Sequence, residues 1–406
     1  MDDQDVAPFD DDMIGRRIAH ARKLRGLTQR ELAEKVPCSK SLISQVEGGH
    51  KPASPSFIGA VARVLHVEVT ELTGQPYRGR TASTDRIHAA IPQIREALVY
   101  RDIAPSLDVP PRSLSDLRKE TERAGRLRQE ARYVELGTLL PALIKELTVH
   151  AHTTEGDRRA AVFGLLASAY SAADSMAYKL GYLDLFHIAV ERMAWAAGQT
   201  DDPLLPAVAD IRRSMAFMAT GAYGGGLDLL ARTKRRLAGE LSDRTDVLSV
   251  VGTVHLRAAI LASCGNHAGL AWDHMGEARE VADRLRRDTT DYGLLFGPSN
   301  TTIHEVAVAV ELGDADEAIR RGADLELPPT LPAERTSHHF IDLSRAWLWE
   351  RKWDKALQCV LKAEMIAAQR TRYHPMARQT VARLLDLQRR VPAPLRGIAR
   401  RMGFAA

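Results

Sequence analysis

Cysteine is scarce in this chain of 406 residues: Cys38, Cys264 and Cys359 are the three, far apart and without a C-x-x-C pair. Neither a disulfide framework nor a zinc knuckle is compatible with that spacing, and reduced thiols are expected. Aromatics make up only 5% of the residues and period-two alternation is hard to find, which argues against sheets. No run of about 18 apolar residues stands out, so no membrane partner is expected. Residues 1–12 hold six aspartates and no Lys or Arg, the reverse of a secretory or mitochondrial leader. A cytoplasmic protein is the expectation. Catalytic signatures are missing as well: His304-Glu305 lacks the second histidine of H-E-x-x-H, Gly221–Gly226 is not followed by Gly-Lys-Ser/Thr, and no G-x-S-x-G occurs. No enzyme, no cofactor and no metal are expected.

What remains is an ordinary globular composition, 45% hydrophobic and 27% charged, on a chain long enough for two or three domains. The net charge of +4 is unevenly spread. Residues 13–65 carry ten Lys/Arg against three Asp/Glu, a local +7 that leaves −3 for the rest. A basic module on a slightly acidic body fits a nucleic-acid binder with an appended partner domain, although a solvated charged face has the same composition.

Apolar residues at i, i+3, i+4 and i+7 recur almost to the end of the chain, which sets the fold class as all-α. Residues 73–84 have the Gly, Pro and Ser/Thr content of a linker, and Pro110-Pro111 breaks a helix before Ser113, a candidate cap. The expected layout is an acidic tail at 1–12, a helical domain at 13–74, a linker with a connecting helix at 75–112, and a helical repeat domain at 113–406.

The amino-terminal block reads as five short helices. Ile14, Ile18, Ala21 and Leu24 form one face of the first, with Asp11 or Asp12 placed to cap it. Thr28-Gln-Arg-Glu31 is a capping box for the second, which runs through Leu32 and Ala33 to Val36. Ser39 caps a third over Lys40–Glu47, with Leu42, Ile43 and Val46 inward and Lys40, Ser41, Ser44 and Gln45 outward. Gly48-Gly49 ends it, Ser54-Pro55 opens a fourth, and a short fifth covers Val69–Leu72. Two short helices joined by a tight turn in such a unit are the geometry that lays the second helix in the major groove.

The stretches Leu27-Thr-Gln-Arg-Glu-Leu-Ala-Glu-Lys-Val36 and Ser39-Lys-Ser-Leu-Ile-Ser-Gln-Val-Glu-Gly48 resemble the XRE (Cro/cI-like) helix-turn-helix family over about residues 13–74. The resemblance implies double-stranded DNA as partner. It places Lys40, Ser41, Ser44 and Gln45 at base edges, and Gln29, Ser39, His50 and Lys51 at phosphates; Arg22 and Glu47 become a partly buried structural pair. Pro37 stands where the family usually has a turn glycine. Cys38, near a helix start and Lys40, is either a half-buried turn residue or a redox-sensitive thiol.

Farther on, turns recur at Gly181, Gly221, Gly265, Gly313 and Lys352, spaced 40, 44, 48 and 39 residues apart. Phe340, Leu343, Trp347, Ala356, Val360 and Ala363 make the last unit resemble a tetratricopeptide repeat; Ala318, and Ala271, Met275 and Ala278, keep part of the pattern. Such units stack into a solenoid whose concave face takes extended peptides or protein segments. The combination resembles the peptide-sensing regulators of Gram-positive bacteria and XRE regulators of actinobacteria. It implies a homodimer and a peptide, small-molecule or protein effector. Asn300 and His304, with His338, His339 and Asp342, are the polar residues placed to line an effector groove, solvated surface being the plainer alternative. The rival reading is a tetratricopeptide-like scaffold whose helix-turn-helix no longer binds DNA.

Overall fold

Capping residues fix where the amino-terminal helices begin. In this computed structural model, which describes residues 13–36, 38–78, 86–388 and 390–404, α1 (Ile14–Leu24) starts after Met13 without a side-chain cap. Thr28 accepts from the Glu31 N–H and the Glu31 carboxylate accepts from the Thr28 N–H at 2.7 Å, opening α2 (Gln29–Lys35). Ser39 accepts from Leu42 N at 3.1 Å to open α3 (Lys40–Glu47), and Ser54 accepts from Phe57 N at 3.1 Å to open α4 (Pro55–Leu65). α5 (Val69–Thr73) runs one residue past the expected Leu72. Ile18, Leu32, Ile43, Val46, Val61 and Leu65 are buried between these helices, each burial contributing roughly 1.5–3 kcal/mol. Leu24, expected inside, is 69% exposed, because it is the final residue of α1 and projects past the neighbouring helices. A Cβ on Gly15 would lie 1.9 Å from the Val46 carbonyl oxygen, so α1 crosses the end of α3 at a distance only glycine allows. The acidic tail with Asp11 and Asp12, Pro37, and the second half of the expected linker (79–84) lie outside the described residues. The described part of the linker is bound rather than free: Tyr77 Oη donates to the Thr73 carbonyl at 2.7 Å, and the Arg378 guanidinium lies 4.1 Å from the Tyr77 ring centre.

After α6 (Ile91–Val99), six antiparallel hairpins follow: α7 (Leu114–Gln129) with α8 (Tyr133–Thr153), α9 (Gly156–Leu180) with α10 (Leu183–Ala197), and α11 (Leu205–Ala219) with α12 (Tyr223–Leu237). Then come α13 (Thr245–Cys264) with α14 (Ala268–Leu285), α15 (Pro298–Leu312) with α16 (Ala315–Gly322), and α17 (Ala333–Trp349) with α18 (Trp353–Ile366). Three helices close the chain: α19 (Ala368–Arg372), α20 (Pro375–Leu387) and α21 (Ala393–Arg401). The described residues form no strand, only an isolated bridge between Thr289 and Phe296. Ser113 caps α7 by accepting from Asp116 N at 3.2 Å.

The repeat shows most clearly in its turns. Each hairpin has one left-handed residue (Ala131, Gly181, Gly221, Asn266, Gly313 or Arg351, φ +56 to +84). The residue after it donates to the carbonyl five positions back, at 2.9 Å in all six: Arg132 to Leu127, Tyr182 to Ala177, Ala222 to Phe217, His267 to Ala262, Asp314 to Ala309 and Lys352 to Trp347. This is the Schellman closure, which satisfies a carbonyl that the ending helix leaves unpaired. Two expected landmarks are one residue off, since Asn266 and Arg351 turn the chain beside Gly265 and Lys352. The hairpin at Ala131 had no landmark at all.

The first helix of every hairpin contributes to the inner wall. α13 is by length and composition apolar enough to cross a membrane, contrary to the sequence expectation, yet most of it is buried as such an inner helix. The two ends of the solenoid meet, with Val134 N donating to Gln369 Oε1 at 3.1 Å. The concave face therefore bounds a central cavity of about 320 Å³. Pro55 and Ile58 of α4, and Val69, Thr70 and Thr73 of α5, wall it on one side. These helices dock directly on the solenoid. Arg63 donates to the Gly221 carbonyl, a Cβ on Gly59 would come 2.5 Å from Tyr223 Oη, and one apolar cluster runs from Ile58 to Met376, Leu384 and Ile398.

Candidate nucleic-acid interface and central cavity

α3 is amphipathic in the sense a reading helix requires. Ile43 and Val46 are buried at 0% and 2% exposure, while Lys40, Ser41, Ser44 and Gln45 are exposed on the other side. Gln45 Nε2 donates to Ser41 Oγ at 3.3 Å, one turn apart. Ser39 is exposed at the amino end, where free N–H groups and the helix dipole favour a phosphate. His50 and Lys51 are exposed after Gly48-Gly49, with Lys51 N held by the Gln45 carbonyl at 3.0 Å.

Glu47 is the clamp behind this surface. Arg22 Nε donates to Glu47 Oε1 at 2.6 Å and Nη2 to Oε2 at 2.8 Å, while Nη1 donates to the Leu27 carbonyl at 2.5 Å. The hydrogen bond to Glu47 holds the Arg22 guanidinium above its ordinary pKa. Gln29 Nε2 also donates to Glu47 Oε2, at 2.8 Å. Gln29 is thus half-buried and engaged, with one amide hydrogen left to offer a phosphate. Cys38 is half-buried, and burial pushes its thiol up, the opposite of what a reactive thiolate needs.

Not all of the exposed face looks into open solvent. Gln45, His50 and Lys51 line a cleft of about 1320 Å³ whose far side is the row of solenoid turns, carrying Asn266, Asp314 and Glu350. Lys40, Ser41 and Ser44 are not part of its lining.

Residues 14–73 match a family model described as a helix-turn-helix domain. The HTH-type transcriptional regulator YazB of Bacillus subtilis is 38% identical over 58 residues, which are 84% of its length and 14% of this chain. The chain belongs to the XRE-type helix-turn-helix family of transcriptional regulators. The immunity repressor protein of Bacillus phage phi105 is 39% identical over 62 residues, 15% of this chain and 43% of the repressor. A propionyl-CoA carboxylase regulator of Cereibacter sphaeroides is 33% identical over 98 residues, 23% of this chain and 19% of that protein. The chain therefore spans about a fifth of the one and under half of the other. Among solved structures, Bacillus thuringiensis PlcR in complex with the peptide PapR7 and DNA aligns over 87% of this chain and 99% of its own, at 16% identity and a TM-score of 0.37.

Four of the five residues expected to line an effector groove, Asn300, His304, His338 and Asp342, do face one space, the central cavity. His339 does not. Neighbouring residues on a helix point about 100° apart, so His339 turns to the outer side of α17, against Gly322 and Phe340. Asn300 Nδ2 donates to the Leu295 carbonyl at 2.6 Å, and His304 Nδ1 pairs with the Asn300 carbonyl at 2.8 Å. Arg370 Nη2 donates to His338 Nδ1 at 2.9 Å, and burial with that cation beside it holds His338 well below the ordinary imidazole value. Burial pushes the Asp342 carboxyl up to about 6. The sequence reading missed the cations that share this space, among them Lys179, Arg212, Arg257, Arg335 and Arg370. Each lies on a different helix, so no local pattern announces them.

Proposed function

We propose that this protein is a sequence-specific regulator that binds double-stranded DNA through α3, and whose helical-repeat body mediates dimerisation, effector sensing or both. Lys40, Ser41, Ser44 and Gln45 read base edges; Gln29, Ser39, His50 and Lys51 contact phosphates. The observation that carries the reading is the two-sided α3: a buried apolar face clamped by Arg22 and Glu47, an exposed polar face, and a capped amino end, all within a stretch of net charge +7. A twofold partner supports it physically, because one helix-turn-helix covers only a half-site. The small central cavity favours a compact effector over an extended peptide. Gln45 and His50 stand across a cleft from the solenoid turns, so docking on a duplex widens that cleft or turns the amino-terminal helices outward.

The competing scaffold reading separates cleanly by salt. The full chain should be retained by a generic duplex at low salt and released as salt rises, with log affinity falling linearly in log salt. Absence of retention at any salt would favour the scaffold.

A further inference from the structure

We infer that the central cavity is a binding site for a small organic anion, a phosphate or carboxylate head on an apolar body, held between the solenoid and the DNA-binding helices. The inference rests on the regulator reading above and gives the effector its chemistry and place.

The lining carries more positive charge than it balances. Seven cations face the cavity (the six residues Arg128, Lys179, Arg212, Arg257, Arg335 and Arg370, together with Arg345) against three carboxylates, Glu311, Glu334 and Asp342. The acids are already shared. Glu334 pairs with Lys179 and lies 3.7 Å from Arg370 and 4.0 Å from Arg128. Arg345 Nη1 takes Glu311 at 2.7 Å and Asp342 at 3.4 Å, and Arg212 is matched by the buried Asp174 behind the wall. Among the described residues nothing pairs with the side chains of Arg257 or Arg335. Polar atoms of well-buried side chains on the same wall also lack partners: Arg345 Nη2, Arg370 Nε and Asn300 Oδ1, on residues 3%, 7% and 1% exposed. Burial, reinforced by neighbouring cations, pulls Arg128, Arg257 and Arg335 down to about 10 and Lys179 well below its usual value. A cluster of guanidinium groups that repel one another out of bulk water is destabilising unless an anion joins them, and planar forks match oxyanions in bidentate fashion.

The remaining lining is apolar. Ile58, Ile211, Met215, Leu256, Ile260 and Leu294 interleave with the cations, and a volume of about 320 Å³ is at the small end of ligand pockets. An inorganic ion would leave that surface wet. A path to DNA is present in α4, whose Pro55 and Ile58 wall the cavity while Ser56, Ala60, Arg63 and Val64 wall the cleft that Gln45 and His50 face. Occupancy of the one space sets the position of the helix bounding the other.

The test uses the full chain, with tryptophan fluorescence and calorimetry against hexyl phosphate, hexanoate, inorganic phosphate and neutral hexanol. Saturable binding of hexyl phosphate or hexanoate, weakened by about tenfold or more in both Arg257→Gln and Arg335→Gln, is expected, and the better of the two identifies the head group. Hexanol should not bind, and inorganic phosphate should bind more weakly than its hexyl ester. Without ligand both variants should melt at or above the wild-type temperature, because an unpaired, half-buried charge crowded by other cations is gone; this shows that they fold. Equal anion binding by wild type and variants overturns the site, as does failure of both organic anions to bind. The same preparations are checked for retention on duplex DNA, so loss of the cavity site and loss of the DNA-binding reading give separate results.

Discussion

At the scale of single residues, Glu47 and Gly15 hold α3 in place from behind its exposed face. Glu47→Ala leaves the guanidinium of Arg22, 7% exposed, without its carboxylate and removes the acceptor of Gln29. Breaking a buried pair costs about 3–5 kcal/mol, and partial solvent access lowers that to roughly 2–3 here. Lys40→Ala, fully outward, should change stability by less than about 0.5 kcal/mol. Urea unfolding of the two full-length variants checks the difference, and equal midpoints would remove the structural role of Glu47. Gly15→Ala should be as damaging as Glu47→Ala, since the new methyl meets backbone rather than a yielding side chain. The Arg22–Glu47 pair and the outward set on α3 were legible because they follow from helical spacing and a family motif. Gly15 was not: it looks like any glycine in a helix until α3 is laid across it.

At the scale of elements, the six Schellman turns make a prediction that runs against the usual cost of glycine. Ala131 and Arg351 occupy the left-handed region at φ +56, which costs a side chain roughly 1–2 kcal/mol, so Arg351→Gly, at an exposed site, should stabilise the chain by about 0.5–1 kcal/mol after the entropy of glycine is subtracted, whereas Ala131→Gly also gives up a buried methyl worth roughly 0.8 kcal/mol and should gain less. Gly181→Ala should do the reverse and more strongly, its Cβ falling 2.4 Å from Gln75 Cβ at φ +84. Thermal melts of the three variants decide it; destabilisation by Arg351→Gly would mean that the turn geometry is not the repeating feature. The same turns show why the sequence reveals only part of the repeat. Glycine marks three of the six, and the others are turned by Ala, Asn and Arg because the hydrogen-bond closure, rather than a residue type, is what recurs. The amino-terminal helices were easier to read, since Thr28, Ser39 and Ser54 signal their starts within three residues.

At the scale of the whole molecule, the solenoid closes on itself and on the amino-terminal helices, and this long-range arrangement had no local signature. The concave face bounds a cavity walled both by the solenoid, from Arg128 to Met376, and by Pro55, Ile58, Val69, Thr70 and Thr73 of α4 and α5. One consequence is acid sensitivity. Burial pushes His255 and His339 down to about 4, and His304, His338 and His374 well below the ordinary value. Above about pH 6.5 these rings are neutral in both folded and unfolded chains and contribute no slope; as pH falls toward 4 only the unfolded chain binds the protons. Each such histidine removes ~1.4 kcal/mol of stability per pH unit, opposed by the protons that Asp342 and Asp174 take up, whose raised values favour the folded state on acidification. Urea midpoints at about pH 7.5 and about pH 5 should therefore differ strongly, and a flat profile would show that these rings are protonated in the fold.

The claim on which the rest depends is that α3 reads DNA, and selection of bound duplexes from a random pool by the full chain tests it most directly. Wild type should enrich one motif, of twofold symmetry if the chain binds as a dimer. Lys40→Ala and Gln45→Ala should each relax the preference at one position per half-site and lower affinity for the selected site by about 1–3 kcal/mol, while Gln29→Ala weakens all sites alike. The same motif, recovered with the same affinity by Lys40→Ala and Gln45→Ala, would contradict it.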